Sequence, residues 1–207
     1  MKKAGIALAV MMTGTLLFGC AGGGNETSMF SPVQSSIFVT REGSFTSALV
    51  EAYEPDYYVE SELKASIEEA VAGYNTEKGD TEVTLSSCTL GNGKAIALFD
   101  YKSGDSLCDF AREMEDEANQ TSVLKFSTVN DGLVAGNIMD GSWKKAKDGS
   151  SVSTDVVLKN GELKLVTVEG AATIQTEGKI LYYSGDVTLT DNFTAVLGGG
   201  RSYLIFK

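Results

Sequence analysis

The sequence predicts an α+β protein in which two helices pack on an antiparallel sheet and an all-β C-terminal part follows. Apolar residues recur with helical spacing over 57–77 and again over 105–118. Strand-like alternation flanks both segments, and Asn92-Gly93 between two such runs is a strong hairpin signal. After about Asp140 the helical spacing ends, and short strand-like runs alternate with turns.

The first part of the fold has the element order β-α-β-β-α-β. A hairpin is predicted first, with its turn at Glu42-Gly43, and the two helices and three more strands follow. This order is the order of ferredoxin-like folds, and order by itself does not fix the pairing of strands. The strands predicted in this part are 36–41, 44–52, 81–90, 94–102 and 122–129.

The C-terminal part is predicted as a series of short strands, either apart from the first sheet or continuing it. Near-regular spacing of strands and turns is typical of a small sandwich, roll or stack. Gly198-Gly199-Gly200 lacks the Gly-Lys-Ser/Thr ending of a phosphate loop and is interpreted as a turn. The runs are 152–159, 162–168, 172–175, 179–183, 187–190, 194–197 and 203–206.

The N-terminus has the organisation of a bacterial export signal. Lys2 and Lys3 precede an apolar run over 4–17, which is too short to span a bilayer comfortably. The run ends in Leu17-Phe18-Gly19-Cys20, which resembles the lipobox of bacterial lipoproteins. The resemblance implies cleavage between Gly19 and Cys20 and a lipid on the Cys20 sulfur. Two or three acyl chains give stable membrane anchoring, whereas one gives only marginal anchoring.

These signals divide the chain into four parts and predict its cellular location. We expect a signal peptide over 1–19, a lipidated cysteine with a flexible Gly/Ser-rich tether over 20–35, an α+β domain over 36–139 and a β-rich region over 140–207. The expected location is the outer face of the bacterial cytoplasmic membrane, or the outer membrane in a Gram-negative cell. The membrane is then a partner through the lipid.

Composition excludes several functions. Without the leader, 15 basic and 28 acidic residues remain, a formal charge of −13, which argues against nucleic-acid binding. The chain has no histidine, and this removes Ser-His-Asp and Cys-His catalysis and histidine metal sites. No cofactor motif and no metal-ligand pattern is present, so we expect neither a cofactor nor a metal.

Cys88 and Cys108 are the two cysteines that remain beside Cys20. An exported chain with a pair of cysteines favours a disulfide, here across a loop of about 20 residues. Strand and helix periodicity points the two thiols apart, which favours two small apolar side chains instead. The sequence leaves both alternatives open.

The remaining motifs carry little chemistry. Ser61-Glu62-Leu63-Lys64 matches the Ser-x-x-Lys of serine acyl-transferases, and Lys102-Ser103-Gly104 is a passable second element. The first pattern recurs by chance in this chain, however, and the Ser-Asp-Asn element is missing. Trp143 is the lone tryptophan and is interpreted as a core strand residue rather than a sugar platform. Asp100, Asp105 and Asp109 are candidates for a pair of catalytic carboxylates, and the sequence does not rank them.

Several packing patterns resemble those of small lipoproteins from anaerobic Gram-positive bacteria. The segments that carry the resemblance are 57–75, 87–94 and 178–184. The resemblance implies a cell with one membrane and reduced cysteines, and it supplies no functional residue beyond Cys20.

The sequence therefore favours a non-enzymatic lipoprotein that binds an envelope protein or a glycan, or that has a structural role in the envelope. The alternative is a glycan-cleaving envelope hydrolase that uses paired carboxylates.

Overall fold

The computed structural model describes residues 28–53, 59–138 and 142–207. This part of the chain is mixed α+β, with four helices and one sheet of eleven strands. The helices are α1 (Glu60–Lys78), α2 (Gly104–Glu113), α3 (Val129–Val134) and α4 (Thr154–Leu158). The strands are β1 (Ser36–Val39), β2 (Phe45–Ala52), β3 (Val83–Gly91), β4 (Lys94–Tyr101), β5 (Val123–Thr128), β6 (Trp143–Lys145), β7 (Ser151–Val152), β8 (Lys164–Thr176), β9 (Ile180–Ser184), β10 (Val187–Leu189) and β11 (Thr194–Phe206).

The strands lie in the order β3-β4-β2-β1-β8-β11-β9-β6-β7, with β10 beside β11 and β5 beside β8. Every pair is antiparallel except β1 with β8. The C-terminal strands therefore continue the first sheet, and β8 and β11 form its centre.

The predicted β-α-β-β-α-β order is present from β2 to β5, but its pairing follows the ferredoxin-like pattern only in part. Strand β4 lies between β2 and β3, as a split β-α-β unit requires. The last strand would complete the pattern beside β2, but the local hairpin places β1 there. Strand β5 pairs with β8 instead, so a ferredoxin-like sheet does not form.

The C-terminal predictions are correct in class and wrong in several boundaries. The predicted strand over 152–159 is mostly helix α4, with Asp155 in its first turn and Val157 fully buried. The four runs 162–168, 172–175, 194–197 and 203–206 are two long strands, β8 and β11.

The glycine segment that was predicted as a turn is a bulge inside β11. The register against β8 shifts between Gly198 and Arg201, and Gly199 and Gly200 have φ values of 123° and 68°. Such left-handed backbone is adopted readily by glycine alone, which lets the strand bend without ending.

The main core lies between the two long central strands and α2. Leu107 from α2 and Leu124 from β5 are fully buried against Val166, Ile174 and Leu204. A second cluster contains Trp143, 1% exposed, with its ring 5.6 Å from that of Tyr203. This confirms the interpretation of Trp143 as a core residue.

Residues 28–35, assigned from the sequence to the tether, contact the body along β8. The Ser28 N–H donates to the Glu177 carbonyl over 2.8 Å, and Gln34 Nε2 donates to Thr173 Oγ1 over 3.0 Å. The Phe30 ring stacks on Phe38 at 5.1 Å.

Candidate functional site

An open groove of about 520 Å³ lies between the end of α1, the start of β3 and the exposed face of α2. Its walls come from separate elements: α1 packs on β3, whereas α2 packs mainly on β5 and also reaches β2, β3 and β4. Most of its lining side chains are polar or charged. They are Tyr74, Lys78, Glu82, Ser103, Asp105, Ser106, Cys108, Asp109, Arg112 and Ser122.

The N-terminus of α2 forms one end of the groove. Ser103 is the N-cap, and its Oγ accepts the Ser106 N–H over 3.0 Å. Gly104 follows at a point where the helix touches β5, and a Cβ there would lie 2.0 Å from the Leu124 carbonyl oxygen. A glycine at this position therefore allows α2 to pack close to the sheet.

Asp109 is the centre of the charged wall. Its carboxylate accepts from Lys78 Nζ over 2.5 Å, from Tyr74 Oη over 3.2 Å and from the Arg112 guanidinium. The Lys78 hydrogen bond is the main reason that the pKa of Asp109 lies below its ordinary value, although burial acts in the opposite direction. This carboxylate is therefore held ionised.

Glu82 is the second paired carboxylate of the groove. It accepts from Ser106 Oγ over 2.5 Å and from Lys102 Nζ over 3.0 Å, and Lys102 also contacts Asp80 at 2.5 Å. The Ser106 hydrogen bond and then that of Lys102 lower the pKa of Glu82.

The Tyr74 phenol is kept protonated as a donor. Burial, followed by the negative charge of Asp109, raises its pKa far above the ordinary value. The ring packs edge-on against Phe110 at 5.1 Å, and Phe110 also contacts Phe99 at 5.4 Å. This aromatic cluster fixes the distance between α1 and α2 and therefore the width of the groove.

Cys108 and Cys88 are free thiols at separate places in the structure. Cys108 belongs to α2 and has its Sγ 3.3 Å from Thr121 Oγ1, whereas Cys88 lies on β3 below the first half of α1. Burial raises the pKa of both thiols. Of the two alternatives that the sequence left open, the structure has the pair of small buried side chains and not the disulfide.

Two of the three aspartates named from the sequence come together. Asp105 and Asp109 both line the groove, one helical turn apart on α2. Asp100 lies on β4 and accepts from Thr46 Oγ1 over 2.6 Å.

The other sequence candidates lie away from the groove or outside the described residues. Ser61 is exposed on α1, and Lys64 forms a surface ion pair with Glu68 at 3.7 Å. Gly19 and Cys20 lie outside the described residues, so the lipidation site has no structural description.

Four site residues were not predicted from the sequence: Tyr74, Lys78, Glu82 and Arg112. The available signals were weak: Lys78 is four residues after Tyr74 and one residue past the helix predicted over 57–77, and Asp109 and Arg112 are three residues apart on the other predicted helix. Such spacings place residues on one face, but they do not show that two helices bring these faces together.

Within the described ranges, no group of three Cys, Asp or Glu side chains is arranged to hold a metal ion. No helix in the same part of the chain is both long enough and apolar enough to cross a membrane. No family model, curated protein or solved structure matches this chain.

Proposed function

We propose that this protein is a lipid-anchored bacterial surface protein that binds a polar envelope partner, a protein or a glycan, without catalysis. The lipobox-like ending at Cys20 supports the proposed location at the membrane. The groove supports binding, because its charged side chains are positioned by one another and face an open space of about 520 Å³.

One observation favours binding over glycan cleavage: both Glu82 and Asp109 have pKa values below the ordinary range. A glycosidase needs a carboxylic acid whose raised pKa keeps a proton for the leaving group. Cations and hydroxyl donors surround these two carboxylates and hold them ionised. Ionised, paired side chains are suited to recognising hydroxyl, amide and charged groups of a partner.

The partner test uses isolated cell-wall material and the purified protein. We expect the protein to co-sediment with the wall, and Arg112→Ala to weaken this several-fold, since Arg112 is the most exposed cation beside Asp109. Lys64→Ala is the matched control, because it removes a cation of α1 outside the groove. Equal binding by all three forms would contradict the role of the groove.

The same incubation tests the hydrolase alternative. Soluble sugar fragments that appear with the wild type and not with Asp105→Asn or Asp109→Asn would establish cleavage and overturn the proposal. If the wall is not bound, a photo-crosslinking side chain at Ser122, which lines the groove, would identify a protein partner.

A further inference from the structure

Strand β3 is the longest strand of the described sheet that has only one neighbour. It has nine residues, whereas the other such strands, β5, β7 and β10, have six, two and three. Val83–Gly91 contains no charged residue and no proline. Long uncharged edges without proline pair readily with further strands unless something covers them.

Helix α1 covers this edge with side chains at both ends of β3. Asn75 Nδ2 donates to the Val83 carbonyl over 2.8 Å, and Asn75 Oδ1 accepts the Val83 N–H over 3.1 Å. At the other end Glu60 Oε2 accepts the Leu90 N–H over 3.0 Å. In an antiparallel ladder, backbone groups directed away from β4 are those that a further strand would use.

The two halves of α1 are held to the sheet unequally. Its buried residues, Val71 and Tyr74, both lie in the second half. In the first half Leu63 and Ile67 are only half-buried, above a cavity of about 40 Å³ that Leu49 also lines. The Glu60 hydrogen bond is therefore a large part of what fastens this half, and local opening is expected where packing is poor.

Cys88 reports on this half of the helix. It is 8% exposed, burial raises the pKa of its thiol, and the charge of Glu60 adds to the shift. Cys108 is equally buried, at 7% exposure, but it belongs to α2. Alkylation of Cys88 therefore requires α1 to lift, and alkylation of Cys108 requires a different opening.

We infer that β3 is a concealed pairing edge, and that it pairs antiparallel with β3 of a second copy of this chain when the first half of α1 lifts. The formal charge of −11 makes contact between two copies unfavourable over most of the surface. β3 carries no charge, so the same strand from each copy can meet across a two-fold axis without like-charge contacts.

The first experiment follows thiol alkylation in the full chain, purified in a mild detergent. Glu60→Ala removes the acceptor of the Leu90 N–H, and we expect it to speed Cys88 alkylation about tenfold, with Cys108 unchanged. Glu60→Gln keeps an acceptor oxygen and should react like the wild type. Glu62→Ala is the matched control, since it removes an exposed acidic residue of the same helical turn. An unchanged Cys88 rate in Glu60→Ala would contradict the inference.

The second experiment measures the oligomeric state of the same proteins by sedimentation in the same detergent. Glu60→Ala should dimerise at a concentration where the wild type and Glu62→Ala are monomeric. Adding Thr89→Lys, at an exposed position of β3, should restore the monomer because a lysine on an edge strand disfavours pairing with a further strand. A monomeric Glu60→Ala protein with exposed Cys88, or a dimer that Thr89→Lys does not affect, would overturn the pairing.

A second variant distinguishes selective opening of α1 from a general loss of structure in Glu60→Ala. Ile67→Ala removes apolar contact below the same half of α1 and leaves Glu60 in place. We expect the same selective exposure of Cys88 and the same dimer. If both variants expose Cys108 as much as Cys88, then α1 does not open separately from the body and the inference is wrong.

Discussion

The close contact of α2 with β5 can be tested by placing the same substitution in the two longer helices. Helix propensity favours alanine over glycine by up to about 1 kcal/mol at an interior position. At Gly73, on the exposed face of α1, an added Cβ meets no atom within 4 Å. We therefore expect Gly73→Ala to raise the free energy of unfolding by about 0.5–1 kcal/mol.

At Gly104 we expect the same substitution to lower the free energy of unfolding. The Cβ would lie 2.0 Å from the Leu124 carbonyl oxygen, so α2 would have to move away from β5 by about an ångström or more to reach ordinary contact. Such movement loosens Leu107, which is fully buried. Overpacking of this kind costs about 1–3 kcal/mol, which exceeds any gain in propensity.

The assay is urea unfolding followed by the fluorescence of Trp143, the lone tryptophan, with circular dichroism as the second probe. Gly104→Ala should lower the midpoint and Gly73→Ala should raise it, with similar slopes. If Gly104→Ala is as stable as the wild type or more stable, then α2 does not approach the sheet as described, and the position of the groove wall is wrong.

Three further predictions concern the groove and the core. Asp109→Asn should lower the free energy of unfolding by under about 1 kcal/mol near neutral pH. Because the folded state lowers the pKa of Asp109, this contribution exists above about pH 4 and fades as the pH falls further. The unfolding curves of the two proteins should therefore converge in acid, and a pH-independent difference between them would contradict the ion pair. Ser103→Ala should cost about 1 kcal/mol through loss of the N-cap of α2, whereas Ser61→Ala, at an exposed position of α1, should be nearly neutral by the same measurement. Trp143→Ala should cost about 3–5 kcal/mol, followed by circular dichroism, and a small effect would show that the second core cluster is not closely packed.

Local signals in the sequence predicted local structure well. The Asn92-Gly93 turn joins β3 and β4 as expected, because both residues have positive φ, at 52° and 73°. The helix predicted over 57–77 is α1, and the helix over 105–118 is α2, which ends earlier, at Glu113. Each of these predictions depends on neighbours within a few residues along the chain.

The parts that the sequence did not predict depend on contacts between distant segments. Strand β5 pairs with β8, about forty residues later, because β1 already occupies the edge of β2. Nothing in the sequence near Val123 indicates this pairing. The local sequence of Gly198–Gly200 is compatible with a turn or with a bulge. The segment forms a bulge because the strand on both sides of it pairs with β8. The groove also depends on contacts between distant segments, since it exists only where α1 and α2 meet.

The central claim is that Cys20 is the lipidated N-terminus of a surface protein, and mass spectrometry of the membrane fraction tests it most directly. Trypsin should release an N-terminal peptide that spans 20–41 and carries a diacylglyceryl group on Cys20, since Arg41 is the first basic residue after the cysteine. Cys20→Ala should leave the precursor uncut or release the protein from the membrane. An N-terminal peptide that begins at any unmodified residue other than Cys20 would contradict the account.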